Sequence, residues 1–203
     1  GSNEFGVHTH ISPADPLPPI SVPARVDVFE AGRQFPVPAV DFAGITADLA
    51  QMKSDAQASG FYRASSGALG YRVALMTNDT FDLYRVTGIS NPPSGCTNIY
   101  SQSGWSTWSV SAQQLMGNYP IPTNGIIFLE DNVFMDGQIN TARVLVVAAS
   151  LPDSSSSRKN ITINNALLYT NYDGQDVIGL IAQGNVNIGM ISEDNLKIDA
   201  ALV

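Results

Sequence analysis

The chain has 203 residues, 44% of them hydrophobic and only 14% charged, so it is long enough to bury one large core or two smaller ones. Its net charge of −8, with only three scattered lysines, excludes nucleic acid as a general partner, because phosphate contacts need clustered cations. Its single cysteine, Cys96, excludes an intrachain disulfide; a partly buried structural cysteine is the expected role and a reactive thiol the alternative.

Residues 1–40 form a proline-rich segment that contains seven prolines. Because proline removes a backbone hydrogen-bond donor, we expect extended chain and short edge strands here, such as residues 25–29. His8 and His10 form an H-x-H pair that would place both rings on one face of a strand. A metal site is one interpretation of this pair, and an exposed N-terminal segment is the other.

Residues 41–58 are predicted to form an amphipathic helix. Asp41 can cap its N-terminus, and Gly60 stands where a helix usually ends. Apolar side chains recur at helical spacing along one stripe, at Ile45, Leu49, Met52 and Ala56. We expect this stripe to pack on a sheet; membrane binding is the weaker alternative, because the polar face is mainly acidic.

Residues 71–87 are predicted to form a β-hairpin. Two runs of β-branched and aromatic residues flank Asn78 and Asp79, which tolerate the positive φ of a tight turn. Residues 104–110 follow as a short aromatic strand. The helix and the hairpin make residues 41–120 the second segment of the sequence.

Residues 121–203 change to short apolar runs with no helical pattern between them. Five runs begin at intervals of 18, 17, 17 and 18 residues, at Ile126, Val144, Ile161, Ile178 and Leu196. Such a period predicts a β-solenoid, in which equivalent residues of successive coils start stacked parallel strands. An antiparallel sandwich is the alternative, although its strands are usually spaced more closely. The three segments are expected to form one continuous, mainly β domain.

A short motif occurs twice within these runs. Residues 131–133 (Asp-Asn-Val) and residues 184–186 (Gly-Asn-Val) are 53 residues apart, which equals three of the predicted periods. We therefore expect the two motifs at equivalent positions of one stack.

Three stretches carry a family resemblance: FPVPAVDFAGITADLAQMKSDAQ (35–57), GIIFLEDNVFMDGQINTARVLVVAAS (125–150) and NITINNALLYTNYDGQDVIGLIAQGNVNIG (160–189). They resemble bacterial envelope proteins encoded near type IV pilus assembly genes, the PilX-like, minor-pilin-associated proteins. The resemblance implies an N-terminal hydrophobic helix followed by an ectodomain with a β-solenoid portion. It also implies a native protein that extends beyond both ends of this sequence.

The resemblance implies a non-enzymatic structural domain, located outside the cytoplasm at the cell surface or on a pilus. Its partners would be other pilus or envelope proteins, with surface glycans as a second class of partner. No run of about 18 consecutive apolar residues occurs, so this chain is not expected to contact a membrane itself, although the longer protein could be anchored. No cofactor is expected.

A carbohydrate-active enzyme or carbohydrate-binding module on a parallel β-helix is the alternative function. Four aromatic residues are the candidate platforms for stacking sugar rings: Trp105, Trp108, Tyr119 and Tyr172. Catalytic carboxylates would come from Asp136, Asp173 and Asp176, with Arg143 as the nearest cation. Histidine is confined to the first ten residues, so a Ser-His-Asp or Cys-His system is not expected.

Asp173 and Asp176 flank a Gly-Gln turn and are the candidate metal ligands. Weak Ca²⁺ binding could occur there or at residues 130–132, although neither stretch has the spacing of a dedicated calcium loop. Solvated carboxylates at the corners of coils are the simpler interpretation.

Overall fold

The structure is a computed structural model that describes residues 48–92 and 107–203 in full, with the backbone of residues 7–8, 33–34 and 45–47. The chain divides into two units, Gly1–Ile45 and Thr46–Val203. In the first unit, strands β1 (Val7–His8) and β2 (Arg33–Gln34) pair in parallel. Several predicted features fall outside the described residues: the strand at 25–29, the cap at Asp41, the side chains of His8 and His10, Cys96 and Trp105.

The described part of the chain is mainly β with a single helix, as predicted. Its elements are α1 (Ile45–Ser59), β3 (Phe61–Arg63), β4 (Gly70–Met76), β5 (Thr80–Ile89), β6 (Val110–Pro120), β7 (Ile126–Leu129), β8 (Val133–Ile139), β9 (Arg143–Ala148), β10 (Ile161–Tyr169), β11 (Val177–Ala182), β12 (Val186–Ile188) and β13 (Ala201–Leu202). One sheet has six strands in the order β12-β10-β8-β4-β5-β6, and another has five in the order β13-β11-β9-β7-β3. Side chains from both sheets contribute to one hydrophobic core.

Helix α1 begins at Ile45 and ends next to the predicted stop. Leu49 and Ala56, two members of the predicted apolar stripe, are both 2% exposed. The backbone N–H of Gly60 donates to the carbonyl oxygens of Asp55 (3.2 Å) and Ala56 (3.1 Å), which closes the last turn. A side chain at Gly60 would also bring a Cβ within 2.6 Å of the Ile126 carbonyl oxygen, so close packing requires glycine there.

The predicted hairpin is confirmed by the antiparallel pairing of β4 with β5. Asp79 adopts a positive φ of 58° in the connecting turn, and its N–H donates to the Met76 carbonyl oxygen at 3.1 Å. A third strand, β6, pairs antiparallel with β5. Of the predicted aromatic strand at 104–110, residues 107–109 are not in a strand, β6 starts at Val110, and residues 104–106 lie outside the described part of the chain.

From β7 to β13, successive strands alternate between the two sheets. Every pairing among these seven strands is parallel: β7 with β9, β9 with β11, β11 with β13, β8 with β10, and β10 with β12. The six-stranded sheet also pairs β4 in parallel with β8, so the hairpin joins the same sheet as the later strands.

The five predicted runs do not stack in sequence order as five adjacent coils, so that detail of the prediction is wrong. Val144 and Ile178 are direct partners, 34 residues apart, in the five-stranded sheet. Ile161 belongs to the other sheet, and Leu196 starts no strand. An apolar run occurs in each strand that faces the core, whichever sheet the strand joins. The spacing between runs is therefore not the sequence distance between paired strands of one sheet.

The two copies of the Asn-Val motif do occupy equivalent positions. Ile161 pairs with Val133 on one side and Val186 on the other, so the 53-residue offset consists of two steps, 28 and 25 residues, rather than three. The preceding residues form an asparagine row: Asn132, Asn160 and Asn185. The N–H of Asn160 donates to Oδ1 of Asn132 at 3.0 Å, and the N–H of Asn185 donates to Oδ1 of Asn160 at 2.9 Å.

Candidate functional site

The three described members of the predicted aromatic set have different surroundings. Trp108 is 40% exposed just before β6. Tyr119, near the end of β6, stacks against the rings of Phe61 (4.8 Å between centroids) and Phe81 (5.7 Å). Tyr172 is 67% exposed at the corner after β10. Sugar stacking on these residues stays a prediction.

Tyr172 belongs to a polar cluster that the sequence did not indicate. Its hydroxyl donates to Oδ2 of Asp199 at 2.7 Å and accepts a hydrogen bond from Lys197. The Lys197 ammonium also lies 4.6 Å from the centre of the Tyr172 ring. These contacts anchor an exposed tyrosine, so the corner is held by polar and cation–π interactions rather than by burial.

Asp176, one of the two predicted metal ligands, closes a corner of the chain. Its buried carboxylate accepts the backbone N–H groups of Thr141, Thr170 (2.9 Å) and Asn171 (2.7 Å). The other predicted ligand, Asp173, accepts the N–H of Gln175 at 3.0 Å within its own turn. Among residues 48–92 and 107–203, no three His, Cys, Asp or Glu side chains are grouped to hold a metal ion.

The predicted catalytic group of three aspartates and Arg143 is divided between two places. Arg143 donates to the Gly174 carbonyl oxygen at 3.4 Å, beside Asp173. Asp136 lies in β8 of the six-stranded sheet and forms an ion pair with Arg72 instead. The prediction that Asp136 joins Asp173, Asp176 and Arg143 in one catalytic group is therefore wrong. Asp136 lies within β8, whereas residues 173–176 form the corner between β10 and β11.

A polar pocket of about 260 Å³ lies where Arg72 and Asp136 meet the start of β6. Core-facing residues alternate with outward ones along β4 and β8, so Val73 and Met135 are buried in the core while Arg72 and Asp136 project from the opposite face of the sheet. The pocket is lined by Arg72, Val110, Ser111, Gln113, Asp136, Asn164 and Asn165.

The floor of the pocket is a bidentate ion pair. Nε of Arg72 donates to Oδ2 of Asp136 and Nη2 donates to Oδ1, both at 2.9 Å. The guanidinium also lies 5.2 Å from the ring centre of Tyr84, its partner across β4 and β5. Burial raises the pKa of Asp136 above its usual value; Arg72 opposes that rise, and the charge of Glu193 adds to it.

One wall is fixed by Asn164, which is 6% exposed. Its Oδ1 accepts the N–H of Val110 at 2.8 Å, and its Nδ2 donates to the Trp108 carbonyl oxygen at 3.0 Å. Both ends of the amide are therefore used to hold the segment that enters β6 against β10. The same segment is tied to the chain beyond β12, because the Met190 N–H donates to the Thr107 carbonyl oxygen at 2.8 Å.

The lining offers one carboxylate, one guanidinium, one hydroxyl and three amides, a set suited to hydrogen-bonded recognition. Two sequence signals mark individual residues of this pocket. Arg72 and Asp136 are charged residues within otherwise apolar strands, and Asn164 interrupts the apolar run that begins at Ile161. Neither signal predicts that Arg72, Asp136 and Asn164 lie close together, because 28 residues or more separate them in the sequence.

Comparisons with known proteins found no matching family model, no matching curated protein and no matching solved structure. Among the described residues, no helix is both long and apolar enough to cross a membrane.

Proposed function

We propose that the strands from β7 onward are the coils of a β-solenoid, with α1 and the β4–β5–β6 meander at one side of the stack. The observation that carries this proposal is the alternation of seven successive strands between two sheets, in which every pairing is parallel. The asparagine row adds a second repeat along the stack, with one side-chain hydrogen bond per step.

The proposed function is structural: a rigid, non-enzymatic domain that presents a surface for assembly or adhesion in a bacterial pilus-associated or cell-envelope protein. Parallel backbone ladders and one continuous core support stiffness, because each inner strand is paired on two sides and loses both sets of contacts if it detaches. The pilus context is supported by the sequence resemblance of residues 35–57, 125–150 and 160–189. Its partners would be other envelope or pilus proteins outside the cytoplasm.

The test is to locate the protein in the bacterium that produces it. An epitope tag in the exposed serine loop at 154–156 would leave the ladders intact, since these residues lie between strands. We expect the tagged protein in the envelope or sheared-pilus fraction, accessible to antibody on whole cells. Recovery in the cytosol alone, with a cytosolic control protein in the same fraction, would contradict the proposal.

A further inference from the structure

The Arg72–Asp136 pair is costly to place where it lies. Asp136 is 5% exposed. The mutual attraction of the carboxylate and the guanidinium offsets only part of the free energy needed to remove them from water. An apolar pair on this sheet face would avoid that desolvation. The pair instead forms the floor of a pocket whose other lining residues, apart from Val110, are also polar and can hydrogen-bond a ligand.

The pocket is also preformed. Both the oxygen and the nitrogen of the Asn164 amide form hydrogen bonds with the backbone of residues 110 and 108, respectively. The guanidinium of Arg72 is held by Asp136 and Tyr84. By contrast, Asn165 and Gln113 are exposed at the rim, and the one hydrogen bond between Gln113 and Arg72 is long, at 3.3 Å. A ligand would therefore meet a fixed floor, and the ordering cost of binding would be confined to the two amide side chains at the rim.

The charges select for an uncharged ligand. Arg72 and Asp136 neutralise each other inside the pocket, and the nearby Glu193 carboxylate makes the surroundings slightly acidic. A charged ligand would find no unpaired countercharge in the lining, because Arg72 and Asp136 are already bonded to each other, and it would lose hydration without compensation. A hydroxyl group both donates and accepts, so it can satisfy the carboxylate and the amides at the same time.

The size of the pocket matches one small ring. Its volume of about 260 Å³ is below the range of roughly 300–1,000 Å³ that drug-sized ligands occupy. We propose that the pocket formed by Arg72, Asp136, Asn165 and Gln113 binds one uncharged, hydroxyl-rich sugar residue. This site does not depend on the scaffold proposal, because a solenoid could serve as a scaffold with or without it.

The test measures binding of neutral methyl glycosides (glucoside, galactoside, mannoside and N-acetylglucosaminide) to the purified chain by saturation-transfer NMR and calorimetry. The variant Gln113→Ala with Asn165→Ala removes the two rim amides, and both residues are exposed, so the fold should be unchanged by circular dichroism. The matched control is Gln114→Ala, the next residue of β6, which does not line the pocket.

We expect at least one glycoside to bind with a Kd of about 10 mM or tighter, and the double variant to weaken it about tenfold while Gln114→Ala leaves it unchanged. A parallel measurement with short neutral oligosaccharides identifies whether the natural ligand is a free sugar or the end of a glycan. Binding tighter than that of the methyl glycoside indicates the end of a glycan, and equal binding indicates a free sugar. The proposal is overturned if no neutral glycoside binds at that level, if the double variant binds as well as the wild type, or if inorganic phosphate or glucuronate competes at the same site.

Discussion

Asp136 shows how one buried charge can link the stability of the fold to pH. Its pKa is raised above the ordinary value of 3.8, chiefly by burial, even with Arg72 beside it. The folded chain therefore binds this proton more tightly than the unfolded chain does. The stabilisation from this group is fully present below the unfolded pKa, and it is lost as the pH rises through the folded pKa.

Replacing Arg72 with methionine should expose the cost of this carboxylate. Arg72→Met leaves Asp136 buried without its partner, so we expect the free energy of unfolding at neutral pH to fall by ~3 kcal/mol. Because the loss of the guanidinium raises the pKa of Asp136 further, the difference from the wild type should shrink as the pH is lowered toward about 4. Urea unfolding of both proteins at several pH values measures this difference.

The matched control is Arg158→Met, which removes an exposed ion pair with Asp153. We expect little change in stability from this variant at any pH, since solvent screens the pair. If Arg72→Met behaved like Arg158→Met, the buried pair would have no energetic role.

At the scale of elements, the helix is linked to the five-stranded sheet through polar contacts at its edge. Lys53 forms an ion pair with Glu130, and Glu130 accepts the hydroxyl of Tyr62 at 2.7 Å. This hydrogen bond is the main reason that the pKa of Tyr62 rises to about 12. Asn124 also donates to the Asp55 carbonyl oxygen at 3.2 Å, so the C-terminal turn of the helix is fixed to the loop before β7.

Leu49→Asp should therefore destabilise the chain. Leu49 is 2% exposed, and a carboxylate there would be buried without a partner, which we expect to cost ~3 kcal/mol or more. The control is Ala50→Asp, which introduces the same side chain at the exposed neighbouring position. Thermal unfolding followed by circular dichroism compares them; equal midpoints for Leu49→Asp and the wild type would mean that the helix is not docked.

The close approach of β4 and β8 gives a second prediction at this scale. Gly137 has a positive φ of 111°, and a Cβ on it would collide with the Leu75 carbonyl oxygen. Gly174 also has a positive φ, 85°, but open space surrounds it. Gly174→Ala should therefore cost about 1 kcal/mol of backbone strain, whereas Gly137→Ala should cost several times more. Urea unfolding measures the free energy of unfolding of the two variants. Equal decreases would contradict the prediction, because they would show that β4 and β8 can accommodate the added Cβ of Gly137→Ala.

At the largest scale, the three buried carboxylates of residues 48–92 and 107–203 each have their own partners. Asp136 is paired with Arg72, Asp176 binds three backbone N–H groups, and Asp131 accepts hydrogen bonds from both hydroxyls of Ser65 and Ser66. A glycosidase or lyase would instead need two carboxylates, or a carboxylate and a base, facing one bond.

We therefore predict that the purified chain shows no turnover of acidic or neutral polysaccharides, with or without added Ca²⁺. Reducing-end and ultraviolet assays of released products measure hydrolysis and elimination respectively. Sustained cleavage that disappears in Asp173→Asn or Arg143→Ala, with unchanged unfolding of the variants, would overturn the scaffold proposal and support the enzyme alternative. Binding of a sugar without cleavage would be consistent with the pocket at Arg72 and Asp136.

Features whose causes lie within a few residues could be predicted from the sequence. Helix α1 and its end at Gly60 follow from an apolar stripe and from a glycine where a helix usually ends, and the turn at Asp79 follows from a side chain that accepts positive φ. The mainly β character of residues 121–203 follows from short β-branched runs. The equivalence of the two Asn-Val motifs could also be predicted, because parallel strands in register place like residues in one row.

Which runs are neighbours could not be predicted from the sequence, because it depends on tertiary packing. Each apolar run indicates that one face of a strand is buried, but not which sheet the strand joins. The spacing of the runs therefore could not show that Ile161 lies in a different sheet from Val144 and Ile178. The pocket was beyond sequence reasoning for the same reason. Arg72, Asp136 and Asn164 come from three strands, and they meet because β4, β8 and β10 are adjacent in one sheet. Pairing between distant strands depends on the core and the loops together, and no local pattern encodes it.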